Sequence, residues 1–377
     1  MAPDFTATDH IHMTHALRLA EHGLYTTQPN PRVGCVLSDD GVVVGEGWHQ
    51  RAGEAHAEVV ALRVAGARAR GATAYVTLEP CAHFGRTPPC VDALIAAGVA
   101  RVVIACEDPN PLVAGEGARR LQAAGIRCDL GLMRSEARAL NRGFMSRMER
   151  QRPWVRVKLA MSLDGRTALA NGASTWITGE AARADVQRWR ARSSAILTGS
   201  GTVLADNPRL TVRPDQLTPA YAGIGHRAFI APLRVVVDRA LVTPRGAHLL
   251  DGSVPTLLVH AEGTRAEDER FARVECAAVS LGSGGGLDLA SVLALLAQRG
   301  VNELQVEAGP VLCGALFAAE LADELLLYVA PVLLGDQARP LLALPELHRI
   351  AEGRRVRIVD QRQVGGDLRL CCAITQQ

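Results

Sequence analysis

The sequence predicts two α/β domains in one chain, residues 1–150 and 151–377. Three observations carry that prediction. A chain of 377 residues that is 48% hydrophobic is too long for one ordinary domain and apolar enough to build two sizeable cores. Short β-branched runs alternate with helical stretches along both halves, the pattern of a sheet layered with helices. Between the halves, "RMERQRPWVRVKL" brings a charge cluster and a proline, and the boundary falls there, near Arg152.

In the first half "VGCVL" and "VVVGEGW" read as strands joined at the turn "SDDG". A helix follows from about His56, then the strand "ATAYVTLE", a helix from Cys90, the strand "ARVVIAC" and the helical "GEGARRLQAAG". The second half opens with the strand "WVRVKLAMS" and the helix "EAARADVQRWRAR". It continues through the strands "SAILTG", "LRVVVD" and "TLLVH", the helix "DLASVLALLAQRG", the strand "NELQVEAG", the helix "PVLCGALFAAE" and the strand "DELLLYVAPVLLG". It closes on "RRVRIVD" and "LRLCCAI", an antiparallel-looking end. "LGSGGGLDL" reads as a loop, and "RPDQLTPAYAGIGHRAFIAP" carries no usable signal.

Composition narrows the function classes. Aromatic residues make up 4% and the formal net charge is +2, with 41 basic and 39 acidic residues spread along the chain, so a base-stacking or basic nucleic-acid surface is not expected. No apolar run reaches bilayer length, and the N-terminal stretch lacks the pattern of a secretion signal; the expected location is the cytoplasm, with no membrane partner. Nine cysteines, an odd number in a long chain, suit reduced thiols or metal ligands better than a disulfide framework.

One imidazole and two thiols stand out. Cys90 follows "RTPP" at the start of a helix, where free backbone N–H groups favour a thiolate, and Cys81 follows a strand through a proline. With His56 they supply three ligands for tetrahedral zinc, leaving the fourth place to water, and Glu58 is then the proton carrier beside that water. Zinc deaminases use such a set in an H-x-E and P-C-x-x-C signature. "HAE" and "EPC" match it, but eight residues separate Cys81 from Cys90 where the general signature has two. A closed structural site with His83 as fourth ligand is the alternative. Cys35, Cys106 and Cys128 read as packing residues.

At this point "TTQPNPRVGCVL", "GEGWHQRAGEAHAEV", "YVTLEPCAHFGRTPPC" and "DPNPLVAGEG" resemble the bacterial bifunctional deaminase/reductase of riboflavin biosynthesis, a family in which the stretch between the cysteines is lengthened. "KLAMSLDGRTA", "STWITG", "TGSGTVLADNPRLTVR" and "VEAGP" resemble its reductase half, so the resemblance covers nearly the whole chain. It implies a cytidine-deaminase-like three-layer α/β/α domain followed by a dihydrofolate-reductase-like α/β domain. It implies zinc-dependent removal of the 2-amino group from a diaminopyrimidinone carrying a ribose 5-phosphate, then NADPH-dependent reduction of the ribosyl group to ribityl.

The resemblance also implies site residues. Asn30, His49, His83, Arg86, Asp108 and Asn110 would contact the first substrate, although "QPNP" and "EDPNP" are good turn sequences in their own right. Ala160, Trp176, Thr202, Asp206 and the turn and helix Gly309, Pro310, Val311, Leu312, Cys313, Gly314 and Ala315 would touch the nucleotide. Ser174, Arg190, Leu210, Arg213 and Glu307 would touch the second substrate, with Arg190 and Arg213 as phosphate partners. Lys158 and Asp206 are the candidates for proton transfer, and Arg239 stands where relatives carry a small polar residue near the nucleotide. A homo-oligomer through the reductase half is implied. Two other readings remain at this stage: a deaminase acting on a base within RNA, and a non-enzymatic scaffold with structural zinc.

Overall fold

The computed structural model describes residues 4–84, 88–110, 114–217 and 229–375. The chain divides into two compact units, residues 1–151 and 152–377.

Unit 1 begins with helix α1 (Ala7–Glu21), which the sequence pattern does not announce. It is held by a capping box in which Thr6 Oγ1 accepts from Asp9 N at 3.1 Å and Asp9 Oδ2 accepts from Thr6 N at 2.9 Å. Strands β1 (Gly34–Asp39) and β2 (Val42–Trp48) form a hairpin whose two turn residues, Asp40 and Gly41, have φ of 46° and 81°. Positive φ at both positions matches the twist of the strands they join. Then come α2 (Ala57–Ala65), β3 (Thr73–Val76), α3 (Cys90–Ala97), β4 (Arg101–Ile104), α4 (Glu116–Ala123), β5 (Arg127–Leu130), α5 (Arg134–Leu140) and α6 (Arg142–Arg150).

The five strands lie in the order β2-β1-β3-β4-β5, antiparallel on either side of β1 and parallel from β3 to β5. Side-chain alternation sorts the two faces: Cys35, Leu37, Ala74, Val76, Val102 and Ile104 pack with α2, α3 and α4, while Val36, Tyr75 and Val103 pack with α1, α5 and α6. The result is the three-layer arrangement expected. Helix α2 approaches β2 closely, since a Cβ on Gly45 would stand 2.3 Å from the Ala61 carbonyl oxygen.

Unit 2 runs β6 (Trp154–Ser162), β7 (Arg166–Ala168), α7 (Glu180–Arg192), β8 (Ala195–Gly199), α8 (Ser200–Asp206), β9 (Leu233–Val237), β10 (Thr256–Ala261), β11 (Glu275–Val279), α9 (Leu289–Gln298), β12 (Glu303–Val306), α10 (Pro310–Ala318), β13 (Glu324–Ala330), β14 (Arg339–Pro340), β15 (Val356–Val364) and β16 (Asp367–Ile374). Nine of the strands form one sheet in the order β11-β10-β9-β8-β12-β6-β13-β16-β15. It is parallel from β11 to β13 and antiparallel through β16 and β15, as the C-terminal pattern suggested. Val155, Val157 and Leu159 share one face of β6 with the core beneath α9 and α10. Alternation sends Lys158 and Ala160 to the other face, beside α7.

Strands β7, β11 and β14 and helix α8 are additions to the predicted elements. Leu281–Leu287 is a loop closed by a single bridge. Of "ELLLYVAPVLL" the first seven residues are core, since every residue of β13 is buried, whereas Val332 and Leu333 beyond it are exposed. Among the described residues no helix is long and apolar enough to cross a membrane.

Candidate active sites

In unit 1 the ends of three elements converge. His56 is the N-cap of α2, Cys90 is the first residue of α3, and Cys81 lies in the turn after β3. His56 Nδ1 stands 3.1 Å from Cys90 Sγ and 3.5 Å from Cys81 Sγ, and the Cys90 backbone N–H donates to Cys81 Sγ at 3.4 Å. All three ligand atoms lie within 4.8 Å of one another. Hydrogen bonding with Cys90 holds the Cys81 thiol well below the usual thiol range, while the bond with Cys81, helped by burial, pushes Cys90 up. The Cys81 sulfur also pushes the His56 imidazole up. Two sulfurs and a ring nitrogen in mutual contact are the donor set of a tetrahedral zinc site with one open place, and the residues fit that ion.

Glu58 is 3% exposed, in the first turn of α2, and its Oε2 has no hydrogen-bond partner among the described residues. Burial, with the Cys81 sulfur adding to it, raises its carboxyl to about 7 against the opposing pull of His56. His83 is exposed and outside the ligand group, so a closed four-ligand site is not formed among the described residues. Asn30 Nδ2 meets His49 Nε2 at 3.1 Å, and the His49 ring lies 5.2 Å from that of His56 in an edge-on contact. Asp108 is buried and its carboxyl is raised to about 6, chiefly by that burial; its Oδ1 accepts from Asn110 N at 2.9 Å. Four of the six expected substrate contacts thus lie on segments around the metal ligands, and His83 acts electrostatically on Asp108. Arg86 lies outside the described residues.

Unit 2 holds a cavity of about 1220 Å³, more than one drug-sized ligand fills. It opens along the carboxyl ends of the parallel strands, at Gly199 of β8, Val237 of β9 and Glu307 after β12. The strand order reverses between β8 and β12, which is where such sheets bind their ligands. Its wall includes Lys158, Ala160, Ser174, Trp176, Arg190, Thr202, Asp206, Leu210, Arg213, Glu307, Gly309, Pro310, Val311, Leu312 and Ala315. The first turn of α10 offers backbone N–H groups with no partner inside the helix, and Gly309 leaves them uncovered, so this wall fits a nucleotide phosphate.

Two expectations change. Cys313 and Gly314 are absent from the wall because they point the other way: the Cys313 thiol donates to Ala308 O at 3.3 Å, and Gly314 packs under the backbone of Ala343. Arg190 is not a free phosphate partner. Its Nε and Nη2 each donate to Glu307 at 2.7 Å, and Nη1 donates to Thr211 O at 2.9 Å. Arg213, whose guanidinium forms no ion pair among the described residues, is the available fork. Lys158, the expected proton carrier, lies on the cavity wall: its Nζ stands 5.9 Å above the Tyr328 ring, and burial lowers its pKa against the pull of Glu307.

Arg183 and Gln187 also line the cavity, and no motif announces them. The Arg183 guanidinium stacks 4.6 Å over the exposed Trp176 ring. The signal that would find them is spacing, since residues 183, 187 and 190 share one helical face.

Comparison with known proteins agrees with both halves. The family model for the cytidine and deoxycytidylate deaminase zinc-binding region matches residues 6–106, and that for the RibD C-terminal domain matches residues 153–370. The chain is 50% identical over 362 residues to the riboflavin biosynthesis protein RibD of Escherichia coli, covering 96% of this chain and 98% of that one. It is 46% identical over 372 residues to RibD of Haemophilus influenzae, with 97% and 98% covered. Among solved structures, Acinetobacter baumannii RibD superposes with a TM-score of 0.89 at 43% identity, over 98% of this chain and 99% of that one. A Thermotoga maritima protein described as a diaminohydroxyphosphoribosylaminopyrimidine deaminase/5-amino-6-(5-phosphoribosylamino)uracil reductase superposes at 0.82 with 29% identity, over 98% and 99%.

A three-layer unit with a zinc-type His/Cys/Cys centre, followed by a parallel-sheet unit with a nucleotide-sized cavity, defines a bifunctional deaminase/reductase. The chain belongs to the RibD family of riboflavin biosynthesis proteins.

Proposed function

We propose that unit 1 hydrolytically deaminates 2,5-diamino-6-(5-phosphoribosylamino)pyrimidin-4-one and that unit 2 reduces the product with NADPH to 5-amino-6-(5-phosphoribitylamino)uracil. One observation carries the first half: three ligand atoms within 4.8 Å beside a buried carboxylate with a free oxygen. Zinc held by His56, Cys81 and Cys90 supplies a Lewis acid that makes a water nucleophilic at neutral pH. Glu58 accepts the proton from that water at Oε2 and delivers it to a ring nitrogen as hydroxide adds, then moves the proton of the added hydroxyl to the amino group, which departs as ammonia. Asn30, His49, Asp108 and Asn110 hold the ring and ribose, and Arg86 and His83 the phosphate end.

In unit 2 Ala160, Trp176, Thr202, Asp206, Gly309 to Leu312 and Ala315 would hold the nucleotide, which would supply a hydride. Lys158 holds a proton at Nζ on the cavity wall and gives it to the opening sugar, with Asp206 as the other candidate. Ser174, Leu210, Arg213 and the Arg190–Glu307 pair shape the substrate side. The positively lined cavity supports this reading. Arg239, whose Nη1 donates to Gly285 O at 2.6 Å, borders it.

A homo-oligomer through unit 2 is part of the same proposal. It is supported by the edge strand β15, which leaves Val356, Ile358 and Val359 exposed on an open sheet edge. A cytoplasmic location is supported by nine cysteines, all free. The test measures metal per chain together with NADPH oxidation on adding the diaminopyrimidinone ribose phosphate. One zinc per chain, and oxidation that needs both zinc and Glu58, supports deamination followed by reduction. Zinc without oxidation, even with deaminated substrate supplied, overturns the reading of unit 2.

A further inference from the structure

One buried carboxylate, used by neither reaction, joins the metal-ligand segment to the loop that carries Asp108 and Asn110. Glu79 stands two residues before Cys81 and is 4% exposed. Its Oε2 accepts from Asp108 N at 3.3 Å and Gly115 N at 3.0 Å, and its Oε1 accepts from Ala118 N at 3.1 Å. The first N–H groups of a helix have no partner within it, and Gly115, the N-cap of α4, has no side chain to supply one. Glu79 therefore caps α4 from 36 residues away, and with the same oxygen it holds the backbone of Asp108.

Further contacts close the same junction. Gly117 lies so near that a Cβ there would stand 2.1 Å from the Pro80 carbonyl oxygen. Arg120 Nη1 donates to Ala82 O at 2.6 Å, and its Nη2 pairs with Asp92, two residues past Cys90. Helix α4 thus grips residues 79, 80 and 82, on both sides of Cys81, and reaches α3 as well. The start of the 108–115 segment is fastened to the carboxylate that caps its end.

We propose that Glu79 is a positioning residue for deamination: it fixes the register between the substrate contacts Asp108 and Asn110 and the metal ligands, without touching substrate. This rests on the assignment of Asp108 and Asn110 to the substrate above. In Glu79→Gln the amide must turn an NH₂ toward either Ala118 N–H or the Asp108 and Gly115 pair. Donor then faces donor and the junction opens, while His56, Cys81 and Cys90 keep their own elements. Contacts made equally to substrate and transition state are lost, which raises KM and leaves kcat.

The experiment compares full-length wild type, Glu79→Gln and the milder Arg120→Met. In each preparation it measures deamination kinetics on the diaminopyrimidinone ribose phosphate, zinc per chain, and reduction of pre-deaminated substrate. Glu79→Gln is expected to raise the deamination KM about tenfold with kcat within about threefold. Zinc stays at one per chain and reduction is unchanged; Arg120→Met shifts KM the same way by less. Loss of zinc, a fall in kcat at constant KM, or an unchanged KM each overturns the proposal. Asp108→Asn in the same series separates the two levels. A wild type that does not deaminate, or an Asp108→Asn variant with wild-type KM, strikes the functional reading instead.

Discussion

Arg190 and Glu307 face each other as a parallel fork, two N–H groups on two carboxylate oxygens, both at 2.7 Å and both largely buried. A pair so placed is spent on structure at the floor of the cavity. Arg190→Ala leaves the Glu307 carboxylate buried with Lys158 as its remaining cationic neighbour and one hydrogen bond from the Gln305 amide. Breaking such a pair costs about 3–5 kcal/mol, so a lowered unfolding midpoint for unit 2 and loss of reduction are expected together in urea titrations and NADPH assays. A double variant, Arg190→Met with Glu307→Leu, is expected to recover stability without recovering reduction.

Glu58→Gln is expected to keep zinc and lose deamination by a factor of about 10²–10⁴, the usual worth of a positioned proton carrier. Reduction of pre-deaminated substrate stays at the wild-type rate. Loss of zinc in this variant would show that Glu58 supports the ligands and not the proton transfer.

Cys81→Ala removes one of three ligands. Metal analysis is expected to find far less than one zinc per chain, and deamination falls with it. The cavity wall of unit 2 is drawn wholly from residues 158–341, so reduction survives in the same sample and after chelation.

Lys158→Met is expected to abolish reduction with NADPH still bound, read from nucleotide fluorescence. Burial lowers the Lys158 pKa, with Glu307 opposing. The reductive kcat of the wild type is therefore expected to decline on the alkaline side at a pH below the ordinary lysine range. A flat profile through that range would exclude Lys158 as the proton source.

Asp9 anchors unit 1 at the foot of the sheet. Burial pushes its carboxyl up, but hydrogen bonds from Arg101 at 2.7 Å, from Thr6 and from Tyr75 at 2.9 Å outweigh burial and hold it at about 2. A pKa depressed on folding stabilises above the unfolded value of 3.8, and that contribution disappears as pH falls through about 2. Asp9→Asn is expected to cost about 2 kcal/mol near neutrality and to flatten the acid limb of the stability curve between those two values. Denaturant titrations from pH 2 to pH 7 measure both.

The metal site was legible in the sequence because its ligand types are rare and sit at the ends of elements, where His56 caps one helix and Cys90 opens another. Glu58 followed from its two-residue spacing. The engagement of Arg190 was not legible, since its carboxylate partner lies 117 residues away and only the parallel packing of β12 beside β8 brings it there. Cys313 and Gly314 look like nucleotide residues in a linear motif. The 3.6-residue period turns them into the core with Leu316 and Phe317, leaving Val311, Leu312 and Ala315 to the cavity. Glu79 is hidden for a further reason: its three partners are backbone amides, which leave no trace in residue type.

Arg183, Gln187 and Arg190 rise from one stripe of α7, while Ala181 and Arg188 look outward. That makes the helix tolerant of spelling and intolerant of length. Substitutions on its outer side change little, but inserting or deleting a single residue before Arg183 turns the whole stripe by about 100°. Such a change would withdraw the stacking cation, the amide and the fork from the cavity in one step, so natural and engineered variation in this helix is expected to exchange letters and never to add or remove one.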